Sequence, residues 1–222
     1  MTGPECFWLL RHAETTAPNV LNGAESDVPL SDHGQRQAEL LAEWFEAKRP
    51  TAIVSSAMTR AKQTAAPIAA RFGLPHHVEP LLHERAVGAL SGQPFHLSEG
   101  PWAETLQSWQ LGQTAKTSPG AESYDDLVAR LVPAMNRLLA RHCGERLVIV
   151  AHGIVCKVLL LEGLLGKSVA DWTALGRIHN VSVSELRLAD GGWEAVQLLQ
   201  VPEPIRDFND GTLSSAAVRS IA

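Results

Sequence analysis

Residues Phe7-Trp8-Leu9-Leu10 form an unbroken apolar run that stops abruptly at Arg11-His12. Consecutive apolar side chains leave a strand no solvent-facing side, so the run reads as a buried strand of a parallel sheet between helical layers. Pro4, just before it, marks where the strand begins. The C-terminal ends of such strands are where open α/β sheets form their ligand crevice, and this one delivers a cation and an imidazole there. Taken alone, an Arg-His pair is equally well a solvated strand end. The rest of the chain has to choose between the two.

Leu147-Val148-Ile149-Val150-Ala151 repeats the logic: an apolar strand, then His152-Gly153, then a helix through Leu165. Thr51 to Ser55 is a third such strand, emptying into a helix start that carries Arg60. A cation in a first turn opposes the helix dipole, although an ordinary surface Arg would also fit there. Between these strands, Ser31 is a good N-cap, Leu30 a staple, and the helix it opens runs to about Lys48. Pro67 and Gly73 punctuate the next helix, and His76 to Leu82 contains a further short strand. Ser123-Tyr124-Asp125-Asp126 caps a helix with an apolar face at Leu127, Leu131, Leu138 and Leu139, with a bend expected at Pro133. Val181 to Leu188 and Trp193 to Val201 read as a hairpin turning at Asp190-Gly191-Gly192. The expected fold is therefore a three-layer α/β/α sandwich, its sheet mostly parallel with an antiparallel edge strand. Residues 1–201 read as one domain, and 202–222 as a poorly ordered tail.

Two connections are long. Thr16 to Pro29 is crowded with Pro, Asn, Gly, Ser and Asp, and a loop of that length in a compact domain favours function. From Gln93 to Gly120 the pattern is weak. Trp102, Leu106, Trp109 and Leu111 suggest a helix over the crevice or on its flank, and Trp102 or Trp109 would line a substrate pocket.

Composition narrows the partners. The 222 residues carry a formal charge of −5 with no run of Lys or Arg, which gives no basis for nucleic acid or an anionic membrane. No apolar run reaches membrane-spanning length, and the N-terminus lacks a signal-peptide pattern, so a cytoplasmic location is expected. Cys6, Cys143 and Cys156 are few and far apart, implying neither a disulfide framework nor a CxxC site; Cys6 and Cys156 read as small core hydrophobes. No cofactor or metal is expected: His83-Glu84 lacks a second His four residues on, and His152 with Cys156 lacks a third ligand. Gly163 to Ser168 mimics a phosphate-binding loop, but its glycines are too close and it follows a helix, so it reads as a loop after a C-cap. His179-Asn180 reads as structural, though the strand after it should lie near the crevice. Oligomeric state has no sequence signal here.

If the strands are parallel neighbours, Arg11-His12, Arg60, Glu84 and His152 converge. Two Arg, two His and one carboxylate suit a phosphoryl group. Arg offers paired planar donors, a neutral imidazole can attack phosphorus, and a carboxylic acid can protonate the leaving oxygen.

Five segments in order then resemble the histidine phosphatase superfamily, in the branch with an Arg-His-Gly motif that includes cofactor-dependent phosphoglycerate mutases. Arg11-His12-Ala13-Glu14-Thr15 resembles its Arg-His-Gly signature, and Ser55 to Ala65 its Ser-x-x-x-Arg-Ala-x-Gln-Thr segment. Glu84-Arg85 with Gly88 and Gly92 resembles its acid-bearing loop, Pro119 to Ser123 its helix entry, and Ala151-His152-Gly153 its second His-Gly. The resemblance covers most of residues 5 to 188. It implies that His12 is the nucleophile, its other ring nitrogen held by a backbone carbonyl. It implies that Arg11 and Arg60 bind the phosphoryl oxygens, with His152 a protonated donor to them. Nearby cations would keep His12 neutral, and Glu84 would serve as general acid and then base. Asn22, Gly23 and Thr15 would be secondary phosphate contacts. Two positions depart: Ala13 stands for the usual Gly, and Pro18 for a frequent Asn, leaving Asn19 as a turn residue.

The implied activity is a metal-independent phosphomonoesterase acting on a small-molecule phosphate ester through phospho-His12. A phosphoglycerate mutase-type isomerase is the alternative. It needs extra cations for a bisphosphorylated ligand, and Ala86 to Ser118 holds only Lys116. A catalytically weak phospho-ligand binding module is the third reading, motivated by Ala13 alone.

Overall fold

The computed structural model describes residues 3–94, 99–190 and 192–210. Six strands form one sheet: β1 (Cys6–Arg11), β2 (Ala52–Ser55), β3 (His76–Val78), β4 (Arg146–Ala151), β5 (Val183–Ala189) and β6 (Gly192–Gln200). Their order is β3-β2-β4-β1-β5-β6. The first four are parallel, and β5 and β6 add an antiparallel edge, as the sequence pattern implies.

The unbroken apolar runs are explained by burial on both sides. Phe7 and Leu9 of β1 pack with Val54, Leu147 and Ile149 into one core. That core is covered by α4 (Tyr124–Arg141) and by α5 (Gly153–Val158), which a π-helical turn prolongs to Leu164. Trp8 and Leu10 point the other way, into a second core with Ile53, Val148 and Val150 under α1 (Asp32–Trp44) and α2 (Thr59–Phe72). Strand periodicity sends alternate residues to opposite faces, so a two-sided core demands apolar residues at every position. No helix among the described residues is long and apolar enough to cross a membrane.

This layering opens the crevice. β1 and β4 are adjacent and parallel, with Arg11 opposite Ala151. The chain leaves β1 for α1 on one face and leaves β4 for α5 on the other. Their connections diverge, and the gap between the two strand ends is the topological switch point of the sheet. Ser31 caps α1 as expected, its Oγ accepting from Gly34 N at 3.0 Å. Gly34 has a specific reason to be there: a Cβ would lie 1.9 Å from the Glu14 carbonyl oxygen, so only glycine lets the first turn of α1 seat against the segment after His12.

Some expectations are corrected. The first helix leaves α-geometry at Trp44 and finishes in a 3₁₀ turn over Phe45–Ala47. Within His76 to Leu82, only His76–Val78 is strand, and Pro80–Leu82 is a 3₁₀ turn. The tail expected from residue 202 begins instead as a helix, Glu203–Asn209, with Ile205 fully buried against α1. Pro202 and Pro204 suggest a broken chain, but proline is well placed in a first helical turn, where its missing N–H has no partner to lose. The weak segment Gln93 to Gly120 contains α3 (Gly100–Gln110), and its residues 95–98 lie outside the described residues, as do Gly191 of the hairpin turn and residues 211–222.

Candidate active site

A cavity of about 410 Å³ opens at the ends of β1 and β4, and Arg11, His12 and Glu84 all line it. His12 is held in one tautomer. Its Nδ1–H donates to the Ala13 carbonyl at 2.7 Å, an atom that can only accept, so Nδ1 carries the proton. In the neutral ring Nε2 then keeps its lone pair. The imidazole is held well below its usual pKa, first by burial and then by the Arg11 and Arg60 charges. Cations were the expected cause, but desolvation is the larger one.

The peptide that fixes this tautomer is itself held from behind. Its carbonyl end is Ala13 O, and its N–H end, Glu14 N, donates to Gln37 Oε1 at 2.9 Å. Ala13 is fully buried and its N–H donates to Thr64 Oγ1 at 3.0 Å. Its φ is not positive, so the methyl in place of glycine costs no backbone strain. Its amide, bonded to Thr64, is not aimed at a ligand. Gln63 of the same motif accepts from Leu30 N at 2.8 Å. The Gln63-Thr64 pair therefore anchors the loops flanking His12.

Arg11 donates through Nη1 to the Ile178 carbonyl at 2.8 Å, while its Nε is buried without a hydrogen-bond partner. Among the described residues the only other buried, unpartnered side-chain N or O is Arg146 Nε, at the far end of the sheet. An orphaned guanidinium N–H costs free energy unless a partner satisfies it, and its positive charge favours an anionic acceptor. Glu84 is 9% exposed. Its Oε1 accepts from Arg85 N at 2.8 Å, and its Oε2 lies 3.4 Å from Ile154 N at the start of α5.

Arg60 and His152 stand behind this wall rather than in it. Both are fully buried and neither lines the cavity. Arg60 spends its fork on the long loop, donating to the carbonyls of Ser26 at 2.7 Å and Asn22 at 3.1 Å. Its Nε donates to His152 Nδ1 at 3.3 Å, and His152 Nε2–H donates to Ser56 Oγ at 2.8 Å. An Nδ1 that accepts carries no proton. Burial, followed by His12, Arg60 and Arg11, holds His152 well below the usual imidazole range. The expected protonated His152 is thus a neutral one that orients Arg60. Arg60 is not the ordinary surface Arg that would also fit its position: the dipole-opposing cation is buried where the loop carbonyls accept from it.

Of the secondary candidates, Thr15 and Asn22 line the cavity. Asn22 Nδ2 is engaged with the Ala17 carbonyl at 2.6 Å. Gly23 does not line it; a Cβ there would lie 2.8 Å from the Arg85 carbonyl, so glycine serves loop packing. Asn19 is exposed and off the cavity, as befits a turn residue.

Sequence reasoning missed several residues. Asn180 lines the cavity and donates to the His12 carbonyl at 3.0 Å, clamping the strand end that carries His12. Lys157, Trp172, Arg177 and Ile178 also line the cavity, with Trp102 and Leu106. Trp109 instead is fully buried and packs on Trp102 and Tyr124. Arg85 lies against both Trp102 and Trp109, 5.0 and 5.1 Å from their ring centres. The Gln-Thr motif ending was a usable signal for Gln63 and Thr64; Lys157 and Arg177 had none.

Comparison with known proteins shows the family. The family model of the histidine phosphatase superfamily, branch 1, matches residues 7–200. A metal-independent phosphoserine phosphatase of Arabidopsis thaliana is 34% identical over 191 residues, covering 83% of this chain and 77% of that protein. Phosphoglycerate mutase-like protein 4 of Arabidopsis thaliana is 31% identical over 195 residues, covering 86% and 82%. Among solved structures, a mycobacterial glucosyl-3-phosphoglycerate phosphatase superposes with a TM-score of 0.74 at 29% identity, covering 87% of this chain and 98% of its own. With a family match over nearly the whole described sheet, the chain belongs to the histidine phosphatase superfamily, branch 1.

Proposed function

We propose that the protein is a metal-independent phosphomonoesterase that works through a phosphohistidine at His12. The observation that carries this reading is the pairing of a free His12 Nε2 lone pair with the buried, unpartnered Nε of Arg11 on one cavity wall. Arg11 binds the phosphoryl oxygens and stabilises the charge that spreads over them in the transition state. Nε2 attacks phosphorus, the bond to the ester oxygen breaks, and Glu84 gives that oxygen its proton. Water then attacks the phosphohistidine, Glu84 takes its proton, and phosphate leaves. Arg60 orients the loop and adds positive field from behind, and the neutral His152 holds its guanidinium in place.

A mutase reading retains one specific support. The argument against it was a shortage of cations in Ala86 to Ser118, yet the fold brings Lys157 and Arg177 to the cavity from elsewhere. A relative carries a mutase-like name. Hydrolysis remains the better reading because the described cavity wall carries no cluster of paired Arg beside the acid loop.

The test is phosphate release from p-nitrophenyl phosphate with a chelator present, for the parent and His12→Ala. Release by the parent that vanishes in the variant is the expected result. Release abolished by the chelator overturns the mechanism. Conversion of 3-phosphoglycerate to its isomer without phosphate release would select the mutase.

A further inference from the structure

Of the five motif segments, Pro119 to Ser123 alone has no part in the chemistry. It runs antiparallel beside the acid loop, with Val87 bridged to Ala121. Glu122 meets Ala86 twice there: its N–H donates to the Ala86 carbonyl at 2.9 Å, and its Oε2 accepts from Ala86 N at 2.9 Å. The Glu122 carboxylate is held in turn by α4. Arg130 Nε donates to Oε1 at 2.8 Å and Arg130 Nη2 to Oε2 at 2.9 Å, a bidentate pair whose Arg and Glu side chains are only 12% and 18% exposed. The remaining nitrogen, Nη1, donates to the carbonyls of His83 at 3.0 Å and Leu81 at 2.6 Å. The pair thus grips the main chain at His83, just before Glu84, and at Ala86, just beyond Arg85, from a helix whose apolar face lies in the core.

The other holds on Glu84 are weak, one-sided or internal to the loop. Its N–H faces Met58 Sδ at 3.5 Å, a weak acceptor, and Ile154 N approaches its Oε2 only to 3.4 Å. The bonds from Arg85 N to Glu84 Oε1 and from His83 Nδ1–H to the Glu84 carbonyl, both 2.8 Å, tie the loop to itself. The long loop grips the downstream side alone, through Ala24 N to Arg85 O at 3.0 Å and through Glu25 on the amides of Val87 and Gly88. An acid gives its proton to a leaving oxygen only from within hydrogen-bond reach, so the placement of this loop sets how well Glu84 can work. Neither Glu122 nor Arg130 lines the cavity, so both would act through Glu84.

We propose that the Glu122–Arg130 pair positions the general acid: it fixes the main chain on both sides of Glu84 and so holds the carboxyl where the leaving oxygen is protonated. The proposal rests on the reading of Glu84 as that acid.

The test compares phenyl phosphate with p-nitrophenyl phosphate, which are alike in shape but differ in how much the leaving oxygen needs a proton. Glu122→Gln keeps the side-chain volume and breaks the ion pair; Arg130→Met also frees the His83 and Leu81 carbonyls. Each should lower kcat/KM on phenyl phosphate about tenfold more than on p-nitrophenyl phosphate, the scale of a misplaced acid, when assayed well below its Tm. In a Glu84→Gln background neither change should shift that ratio further, because the proton it guides is gone. Variants that slow both substrates alike, that leave the ratio at its parental value, or that shift it equally without Glu84 make the pair structural and overturn the proposal. Glu122→Gln decides alone if Arg130→Met does not fold. Glu84→Gln by itself separates the two failures. If it is selective against phenyl phosphate and the pair variants are not, positioning by the pair falls and the acid stands. If it is unselective, or the parent hydrolyses neither ester, the acid reading falls and the proposal with it.

Discussion

Gln37→Leu is a near-isosteric change that tests whether the His12 tautomer is set from α1. Gln37 is 3% exposed, and its Oε1 accepts from Glu14 N, the N–H of the peptide whose carbonyl holds His12 Nδ1. Removing that acceptor strands the amide, at about 1–3 kcal/mol. Gln37 Nε2 also donates to Asn209 Oδ1 at 2.9 Å. Losing that bond costs about 0.5–1.5 kcal/mol more. The added apolar contact of Leu offsets part of this, leaving roughly 2–3 kcal/mol, or about 4–12 °C in Tm for a chain of this size. Rotation of the freed peptide also loosens the imidazole, and kcat on p-nitrophenyl phosphate should fall by about tenfold to hundredfold. Asn209→Ala is the control: it removes this outer bond and the one between Asn209 Oδ1 and His33 Nε2 at 3.0 Å, leaves Glu14 N with its acceptor, and should cost about 1–2 kcal/mol with kcat unchanged. Thermal unfolding and steady-state kinetics on the three proteins suffice. Gln37→Leu that is destabilised but turns over at the parental rate would refute the reasoning, because the peptide would then be held by something other than Gln37.

Glu84→Gln should lower kcat about 10²–10⁴-fold on an alkyl phosphate but far less on p-nitrophenyl phosphate, whose leaving group needs no proton; equal losses would make Glu84 structural rather than an acid. Gly34→Ala should destabilise α1 in thermal unfolding, because a Cβ 1.9 Å from Glu14 O outweighs the gain of about 1 kcal/mol in helix propensity, and a stabilised variant would contradict this. His12 and His152 have pKa values depressed below 6.5 in the fold, so the unfolded chain binds more protons once pH falls to that range. Stability should then drop as pH is lowered through 6.5, and His152→Gln should flatten the drop in Tm between pH 7.5 and 5; an unchanged slope would place the titration elsewhere.

The two histidine-bearing strand ends were legible because their signal is local. An apolar run of strand length bounded by turn or polar residues reads as a two-sided core strand, and the polar residues that stop it then lie at the edge of the sheet. Ser31 and the Ser123–Asp126 capping box were legible for the same reason: a cap satisfies donors two or three residues away. The start of the C-terminal helix was misread because prolines at 202 and 204 look alike in a tail and in a first turn, and only docking of Ile205 on α1 decides between them.

The roles of Arg60 and His152 show where local reading stops. Their presence in the site follows from the motifs, but protonation depends on burial and on which donor faces which acceptor. Arg60 and His152 are 92 residues apart, and Ser56 is 96 residues from His152. The same holds for the other cations that line the cavity. Lys157 is one cation on a mostly apolar helix and Arg177 one cation in a loop, and neither position has a pattern of its own. The sequence by itself determined the layered sheet and the edge at which Arg11 and His12 emerge, since an apolar run and the polar residues that stop it lie within a few positions of one another. Tertiary structure alone decided which imidazole keeps a free lone pair, which guanidinium is left unsatisfied and which distant cations share one cavity, because desolvation and charge proximity are properties of space and not of chain order.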